Sequence, residues 1–279
     1  MNKLLPLALA ALAASPALAE ISEQDVMIEG SAHPIPATIT LPGGDGPFPI
    51  VLMFHGTGSD RHEAGMGYDI FAPRLAEAGI ASLRFDFAGN GDSPVDYAEY
   101  TPSGGLADGL EALAYAASLP QVDAGRLGVM GWSQGGYVAL LAAARTPEVQ
   151  SVVTWAGLTD MSGSFAEGRA AAEETGIYEL TFDWREPLNL SIDWFTDVES
   201  IDLGTELTGY TGPLLAINGA EDTVVPPATV ETILAATGSE VKEGALIEGG
   251  DHTFNIFSGD MAVFDELSRL TIEWFEETL

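Results

Sequence analysis

A serine lies at the centre of a Gly-x-Ser-x-Gly sequence, Gly131-Trp132-Ser133-Gln134-Gly135. A serine hydroxyl is a weak nucleophile at neutral pH, so an enzyme that uses one presents it on a sharp strand-to-helix turn beside backbone N–H donors. Glycines two positions away on either side remove side-chain atoms that would collide in such a turn. Because a strand-like run precedes the motif and an alanine-rich helical run follows it, the pattern predicts a nucleophile elbow with Ser133 as the nucleophile.

The base that would accept the serine proton is sought among the four histidines of the chain. His33 precedes the first strong strand-helix unit and is predicted to lie on the surface. His55 ends the first buried strand and is predicted to shape the following loop, which contains His62. His252 lies between a strand-like run and the C-terminal helix, where a fold with this elbow carries its base, so His252 is the predicted general base. The alternative for His252 is a solvent-exposed turn residue.

The carboxylate that orients the base should lie between the serine and the histidine in the chain. Asp222 meets this condition and comes just after a buried strand. Glu221 and Asp251 are the alternative acids. Asp251 adjoins the histidine, and neighbouring side chains on a short loop rarely face one another. We therefore predict that Asp222 is the orienting acid of the triad.

A tetrahedral intermediate also needs N–H donors for its oxyanion. The helix start after the serine supplies the N–H of Gln134. A glycine-flanked turn, His55-Gly56-Thr57-Gly58, follows the first buried strand at the same predicted end of the sheet. We predict that the backbone N–H groups of Thr57 and Gln134 form the oxyanion hole, with a plain glycine turn as the alternative for the first of these loops.

The elements that must position these residues alternate between strand-like and helix-like runs from residue 49 onward. This alternation predicts an α/β fold with a mostly parallel, doubly wound sheet, and residues 21–40 predict antiparallel edge strands. Between residues 157 and 211 the alternation stops. An insert of this length is predicted to be a helical lid over the active site, or alternatively a helical excursion that packs its aromatic residues on the body. Its aromatic residues include Phe165, Tyr178, Phe182, Trp184, Trp194 and Phe195.

The first residues have the pattern of a secretory signal peptide: a basic start at Lys3, an apolar run over residues 4–14, and a small-residue cleavage site between Ala19 and Glu20. We expect residues 1–19 to be removed and residues 20–279 to form one domain in a periplasmic or secreted protein. A membrane anchor is the alternative, but the apolar run is shorter than a spanning helix requires. The chain has no cysteine, which excludes disulfides and a thiolate nucleophile.

The formal net charge is −32 at pH 7, which disfavours nucleic acid and anionic membrane surfaces as partners. A small-molecule ester is the expected partner, and the oligomeric state is left open. No metal site or cofactor is expected, because His55 and His62 lie in a loop without a zinc-binding pattern. The acids around these two histidines are interpreted as solvated surface.

Several segments together resemble the α/β-hydrolase superfamily, and in particular its branch of dienelactone-hydrolase-like and bacterial cinnamoyl (feruloyl) esterases. The resemblance runs from about residue 49 to the C-terminus. It is carried by residues 55–58, 82–93, 122–126, 219–226 and 251–254. It implies a serine ester hydrolase with Ser133, Asp222 and His252 as the triad and with Thr57 and Gln134 as oxyanion donors.

Two departures from that branch bear on the substrate. Its feruloyl esterases commonly have an aromatic residue where this chain has Thr57, and its dienelactone hydrolases use a cysteine nucleophile, which this chain lacks. We interpret the chain as a carboxylesterase that works through an acyl-enzyme, with aryl or feruloyl-type esters suggested by the aromatic insert. The alternatives are a small serine peptidase, aminopeptidase or acyltransferase on the same fold, and a catalytically inactive periplasmic binding protein.

Overall fold

A computed structural model describes residues 20–183 and 185–279, so the predicted signal peptide and Trp184 lie outside the described residues. The strands in that part of the chain are β1 (Ser22–Glu29), β2 (Pro34–Leu41), β3 (Phe48–Phe54), β4 (Ala81–Phe85), β5 (Val122–Trp132), β6 (Val149–Trp155), β7 (Ile177–Leu180), β8 (Leu188–Ser191), β9 (Leu214–Gly219) and β10 (Lys242–Ile247). The α-helices are α1 (Gly67–Glu77), α2 (Pro102–Ala117), α3 (Gln134–Arg145), α4 (Gly168–Thr175), α5 (Ile192–Ser200), α6 (Leu203–Glu206), α7 (Thr229–Ala236) and α8 (Ala262–Thr278).

The main sheet has the strand order β1-β2-β4-β3-β5-β6-β9-β10. β2 pairs antiparallel with both β1 and β4, while every other pair of neighbours in this sheet is parallel. The central strands are buried on both faces, which is why their sequences are nearly continuous apolar runs. The predicted fold class, a mostly parallel α/β-hydrolase sheet with antiparallel edge strands, is confirmed.

Buried apolar side chains pack on both faces of this sheet. On one face, α1 and α8 cover a cluster centred on Trp155, whose ring lies 5.0 Å from Phe71 and 5.8 Å from Phe264. Helices α2, α3 and α7 cover the other face. The parallel strands therefore end together at one edge between two helical layers, and the loops after β3, β5, β9 and β10 meet there.

The insert between β6 and β9 contains α4, a two-stranded antiparallel sheet of β7 and β8, α5 and α6. This small sheet was not predicted. Trp194 and Phe195 of α5 are buried in the core, with ring centroids 5.0 Å apart, and Phe165 packs 5.9 Å from Trp194. Part of the aromatic content of the insert thus fills the core, and the role of the insert as a lid stays a prediction.

The predicted surface position of His33 is wrong. Its side chain is buried, and its Nε2 atom lies 3.4 Å from Asp108 Oδ2 of α2. Burial raises the pKa of Asp108 to about 6. His33, which directly precedes β2, therefore ties the start of that strand to helix α2. Within the described residues, no helix combines the length and apolarity needed to span a bilayer.

Candidate active site

Ser133 lies between β5 and α3 with φ 57° and ψ −119°, a conformation that a residue with a side chain rarely adopts. Its N–H donates to the carbonyl of Trp155 at 2.8 Å. A Cβ atom at Gly131 would lie 2.0 Å from the Gly135 carbonyl oxygen, and one at Gly135 would lie 2.0 Å from the Phe54 carbonyl oxygen. The two motif glycines therefore allow the backbone to turn tightly enough to present the serine at the edge of the sheet.

Asp222 and His252 come together at this edge, on the loops after β9 and β10. Nδ1 of His252 lies 2.8 Å from Asp222 Oδ2, and the other carboxylate oxygen accepts from the N–H groups of Val224 at 2.7 Å and Val225 at 2.9 Å. The Asp222 side chain is fully buried. The indole of Trp132 donates to the His252 carbonyl at 3.0 Å. This network directs Nδ1–H of the imidazole at the carboxylate and leaves Nε2 available for proton exchange.

The two alternative acids are placed differently. Glu221 is exposed. Asp251 is occupied in its own loop, where Oδ1 accepts from the N–H groups of Thr253 at 2.8 Å and Asn255 at 2.9 Å. Burial opposes ionisation of Asp251, but these hydrogen bonds hold its pKa below the usual value. Asp251 thus shapes the loop that carries His252, whereas Asp222 contacts the imidazole itself.

Thr57 and Gln134 also meet at this edge. The Thr57 hydroxyl donates to Gln134 Oε1 at 3.1 Å, and a Cβ atom at Gly56 would lie 3.6 Å from the Cβ atom of Ser133. Gln134 is the first residue of α3, where helical N–H groups have no intrahelical acceptor. The two predicted oxyanion donors therefore belong to adjoining backbone segments on either side of the serine.

Glu63 holds the loop after β3 and was missed by the sequence interpretation. This buried carboxylate accepts from the N–H of Gly56 at 2.6 Å and from that of Ala64 at 2.8 Å. Burial raises its pKa to about 7, although both hydrogen bonds act in the opposite direction. The interpretation of the acids in this loop as solvated surface was wrong for Glu63. Its sequence neighbours are polar, but the folded loop turns the Glu63 side chain inward and buries it.

His55 is fully buried, and both of its ring nitrogens contact backbone groups. Its Nδ1 atom lies 2.8 Å from the Gly56 carbonyl oxygen, and its Nε2 atom accepts from the N–H of Phe87 at 3.1 Å. Burial lowers its pKa. Because Nε2 accepts this hydrogen bond, the ring is neutral, and its two contacts fix the start of the loop. His62 instead contacts Asp69 at 2.9 Å. Among the described residues, no group of three or more His, Cys, Asp or Glu side chains could hold a metal ion.

The insert reaches the same loop through Arg185. Its guanidinium donates to the carbonyl oxygen of Gly58 and, through Nε, to that of Glu186 at 3.1 Å. A Cβ atom at Gly58 would lie 3.1 Å from Leu188 Cδ1 of β8. The turn Tyr97–Glu99, which contains the buried Tyr97, packs beside β8. Neither Arg185 nor Tyr97 carries a sequence signal that links it to the elbow.

Comparison with known proteins identifies the family. Residues 71–278 match the sequence profile of the prolyl oligopeptidase family, which is most of the chain. The chain belongs to the prolyl oligopeptidase family. Within the α/β-hydrolase superfamily, it is 27% identical over 247 residues to 2,6-dihydropseudooxynicotine hydrolase of Paenarthrobacter nicotinovorans, covering 86% of this chain and 61% of that protein. It is also 28% identical over 212 residues to a putative carboxymethylenebutenolidase of Methylorubrum extorquens, covering 72% and 61% of the two chains.

The chain thus spans about three fifths of the length of these two relatives. Among solved structures, Est1E of Butyrivibrio proteoclasticus with bound ferulic acid matches with a TM-score of 0.68 and 20% identity, over 90% of this chain and 96% of that one. A dienelactone hydrolase of Anabaena variabilis matches with a TM-score of 0.65 and 21% identity, over 93% and 99%. These neighbours confirm the resemblance in fold, and the homologues support an enzyme of the hydrolase type.

Proposed function

We propose that this member of the family is a serine esterase that hydrolyses carboxylic esters through an acyl-enzyme. The observation that carries the proposal is the buried Asp222 carboxylate, 2.8 Å from the imidazole of His252, at the sheet edge where the strained elbow presents Ser133. A serine, a carboxylate and an imidazole, in this order along the chain, are the parts that acyl transfer requires.

In this mechanism Oγ of Ser133 attacks the ester carbonyl carbon while Nε2 of His252 takes the hydroxyl proton. The N–H groups of Thr57 and Gln134 stabilise the oxyanion of the tetrahedral intermediate, and Asp222 stabilises the imidazolium. Collapse breaks the bond to the alcohol, which leaves with the proton from His252. Water then attacks the acyl-enzyme and gives its proton to His252. Collapse of the second tetrahedral intermediate releases the acid, and His252 returns the proton to Oγ of Ser133.

A serine peptidase is the second candidate, and the family match favours it. In that case Ser133 would attack an amide carbonyl with the same partners, and His252 would then protonate the leaving amine. The chemistry of the leaving group distinguishes the two functions. An aminoacyl p-nitroanilide tests the peptidase, whereas p-nitrophenyl esters of increasing chain length and methyl ferulate test the esterase.

The deciding experiment measures turnover of these substrates by the purified protein and by Ser133→Ala. We expect the wild type to hydrolyse at least one ester class and the variant to lose about 10⁴- to 10⁶-fold in kcat. A fluorophosphonate should label Ser133 in the wild type, as detected by mass spectrometry. Turnover of the anilide alone would establish the peptidase instead. Failure of both labelling and turnover would favour an inactive binding protein.

A further inference from the structure

Arg185 differs from the other arginines of the described chain in its partners. Each of the others forms an ion pair with a carboxylate. These are Arg61, Arg74, Arg84, Arg126, Arg145, Arg169 and Arg269. Arg185 forms no ion pair with any described residue and donates only to the carbonyl oxygens of Gly58 and Glu186. In a chain with 42 acidic residues, an arginine without a carboxylate partner is unexpected.

The missing carboxylate partner of Arg185 bears on function because of where this side chain lies. It contacts Gly58, the residue after the predicted oxyanion donor Thr57, so its charge lies beside the place where an ester carbonyl would be held. Burial lowers its pKa, an effect that Asp60 and Tyr97 partly oppose. Asp60 is therefore near enough to act on its charge without pairing with it. A partly desolvated guanidinium of this kind binds a carboxylate more strongly than an exposed one does.

Two buried donors with unused hydrogens lie in the same region. Gln134 accepts from the Thr57 hydroxyl through Oε1, and the polar group that its Nε2 atom faces is the Tyr97 hydroxyl. This contact leaves one amide hydrogen of Gln134 and the hydroxyl hydrogen of Tyr97 without an acceptor among the described residues, although both residues are more than nine-tenths buried. Burial raises the pKa of Tyr97 well above its usual value, and the hydrogen bond with Gln134 and the Arg185 charge act against this rise. Stacking on Tyr100, at 5.3 Å between ring centroids, fixes the Tyr97 ring.

Buried polar groups in native proteins nearly always have partners, and a buried charge is usually paired. An amide donor, a phenol donor and an unpaired guanidinium around one loop are together complementary to an anionic oxygen ligand. We infer that the Arg185, Tyr97 and Gln134 side chains form a subsite for a carboxylate carried by the substrate. The inference rests on the proposed esterase function and narrows its substrate to esters that bear a free carboxylate, in either the acyl or the alcohol part.

An anionic substrate would need such a local cation in a protein with a net charge of −32. The surrounding acids repel an anionic substrate, so a specific contact must offset that repulsion at the site itself. Arg185 also comes from the insert, while the triad comes from the main sheet. The insert would then contribute recognition of the substrate, whereas the sheet contributes the reacting groups.

The test compares two pairs of esters that differ only by replacement of a carboxylate with a carboxamide. Methyl hydrogen glutarate and methyl glutaramate place that group in the acyl part, while 3-acetoxypropionate and 3-acetoxypropionamide place it in the alcohol part. Hydrolysis is followed by pH-stat at constant ionic strength. We expect the wild type to prefer the carboxylate in one pair by about 10- to 100-fold in kcat/KM, the size of a charge-assisted contact.

Arg185→Gln should reduce this preference ratio to near one, and Arg185→Lys should keep part of it because the charge remains. Arg169→Gln is the matched control, since it removes the same charge from α4 of the insert, where Arg169 pairs with Glu173 and Glu199. Its ratio should equal that of the wild type. A wild type that hydrolyses both pairs without preference, or a preference that survives Arg185→Gln, would overturn the subsite.

A binding measurement separates this inference from the proposed function. Calorimetric titration of methyl hydrogen glutarate and of 3-acetoxypropionate into Ser133→Ala does not depend on turnover. We expect one of them to bind, and affinity to fall at least tenfold when Arg185→Gln is added. Binding of this kind without hydrolysis by the wild type would support the subsite and contradict the esterase. Hydrolysis of neutral esters with no Arg185-dependent binding would do the reverse.

Discussion

Two halves of the candidate site are held in place by different forces. The elbow half, which comprises Ser133, Asp222 and His252, is fixed by backbone hydrogen bonds and by clearances that exclude even one extra carbon atom. The loop half comprises residues 56–63 and Arg185. It is held by the buried Glu63 carboxylate, which accepts from the N–H of Gly56, and by the Arg185 guanidinium, which donates to the carbonyl oxygen of Gly58. The elbow half should therefore respond to steric changes, and the loop half to changes of charge and pH.

The largest expected effect concerns the acid of the elbow half. Asp222→Asn should lower kcat for ester hydrolysis about 10⁴-fold, because the amide can no longer hold the imidazole in the required tautomer. Asp251→Asn is the matched control on the neighbouring loop and should change kcat by less than about tenfold. Steady-state kinetics at saturating ester decide between them. A greater loss of kcat with Asp251→Asn would show that Asp251, and not Asp222, orients the imidazole.

A smaller effect, on stability, tests the steric part of the comparison. Gly135→Ala places a Cβ atom 2.0 Å from the Phe54 carbonyl oxygen, so the elbow must distort. We expect a loss of about 4 kcal/mol or more in the free energy of unfolding, or failure to fold. Gly163→Ala, where a Cβ atom meets nothing within 4 Å, should change it by less than about 0.5 kcal/mol. Urea denaturation gives both values, and equal stabilities would show that the elbow is not sterically constrained.

The smallest effect is the pH response of the loop half. Burial raises the pKa of Glu63 from 4.5 to about 7, so the folded state holds a proton that the unfolded state has already lost. Its contribution to stability is thus present below pH 4.5 and is lost as the pH rises through about 7. Between pH 5 and pH 8, the wild type should lose about 2 to 3 kcal/mol more than Glu63→Gln, whose side chain does not titrate.

Denaturant melts at the two pH values measure this difference. Glu276→Gln, which changes an exposed residue of α8, is the control and should keep the pH slope of the wild type. The general repulsion among acidic side chains affects all three proteins alike and cancels in the comparison. If wild type and Glu63→Gln have parallel slopes, then the pKa of Glu63 is the same in the folded loop as in the unfolded chain, and the loop half is not charge-sensitive.

These two halves also differ in how far the sequence predicts them. The elbow half depends on local rules: glycines at fixed offsets, a strand before them and a helix after them. The alternation of strands and helices then places Asp222 and His252 at the same sheet edge as Ser133, since parallel strands end together. That reasoning predicted the sheet, its antiparallel edge and the contact between Asp222 and His252.

The loop half depends on contacts between distant segments. Glu63 lies among Asp60, Arg61 and His62, a sequence typical of solvent-exposed loops, and becomes buried only because the folded loop turns it inward. Arg185 approaches Gly58 across 127 positions of sequence. The predicted surface position of His33 was wrong for the same reason, since its partner Asp108 belongs to helix α2, far along the chain. No local pattern encodes such pairings.

The bond from the Trp132 indole to the His252 carbonyl has a consequence for how this scaffold can diverge. Together with the bonds to Trp155, Val224 and Val225, it holds Ser133, Asp222 and His252 without using any described residue of the insert. If these residues act as proposed, the segment around Arg185 can change without moving them, whereas α5 cannot be replaced freely because its Trp194 and Phe195 fill the core. A lineage with this arrangement can acquire new substrates by changing that one segment, and a protein engineer can vary it for the same purpose.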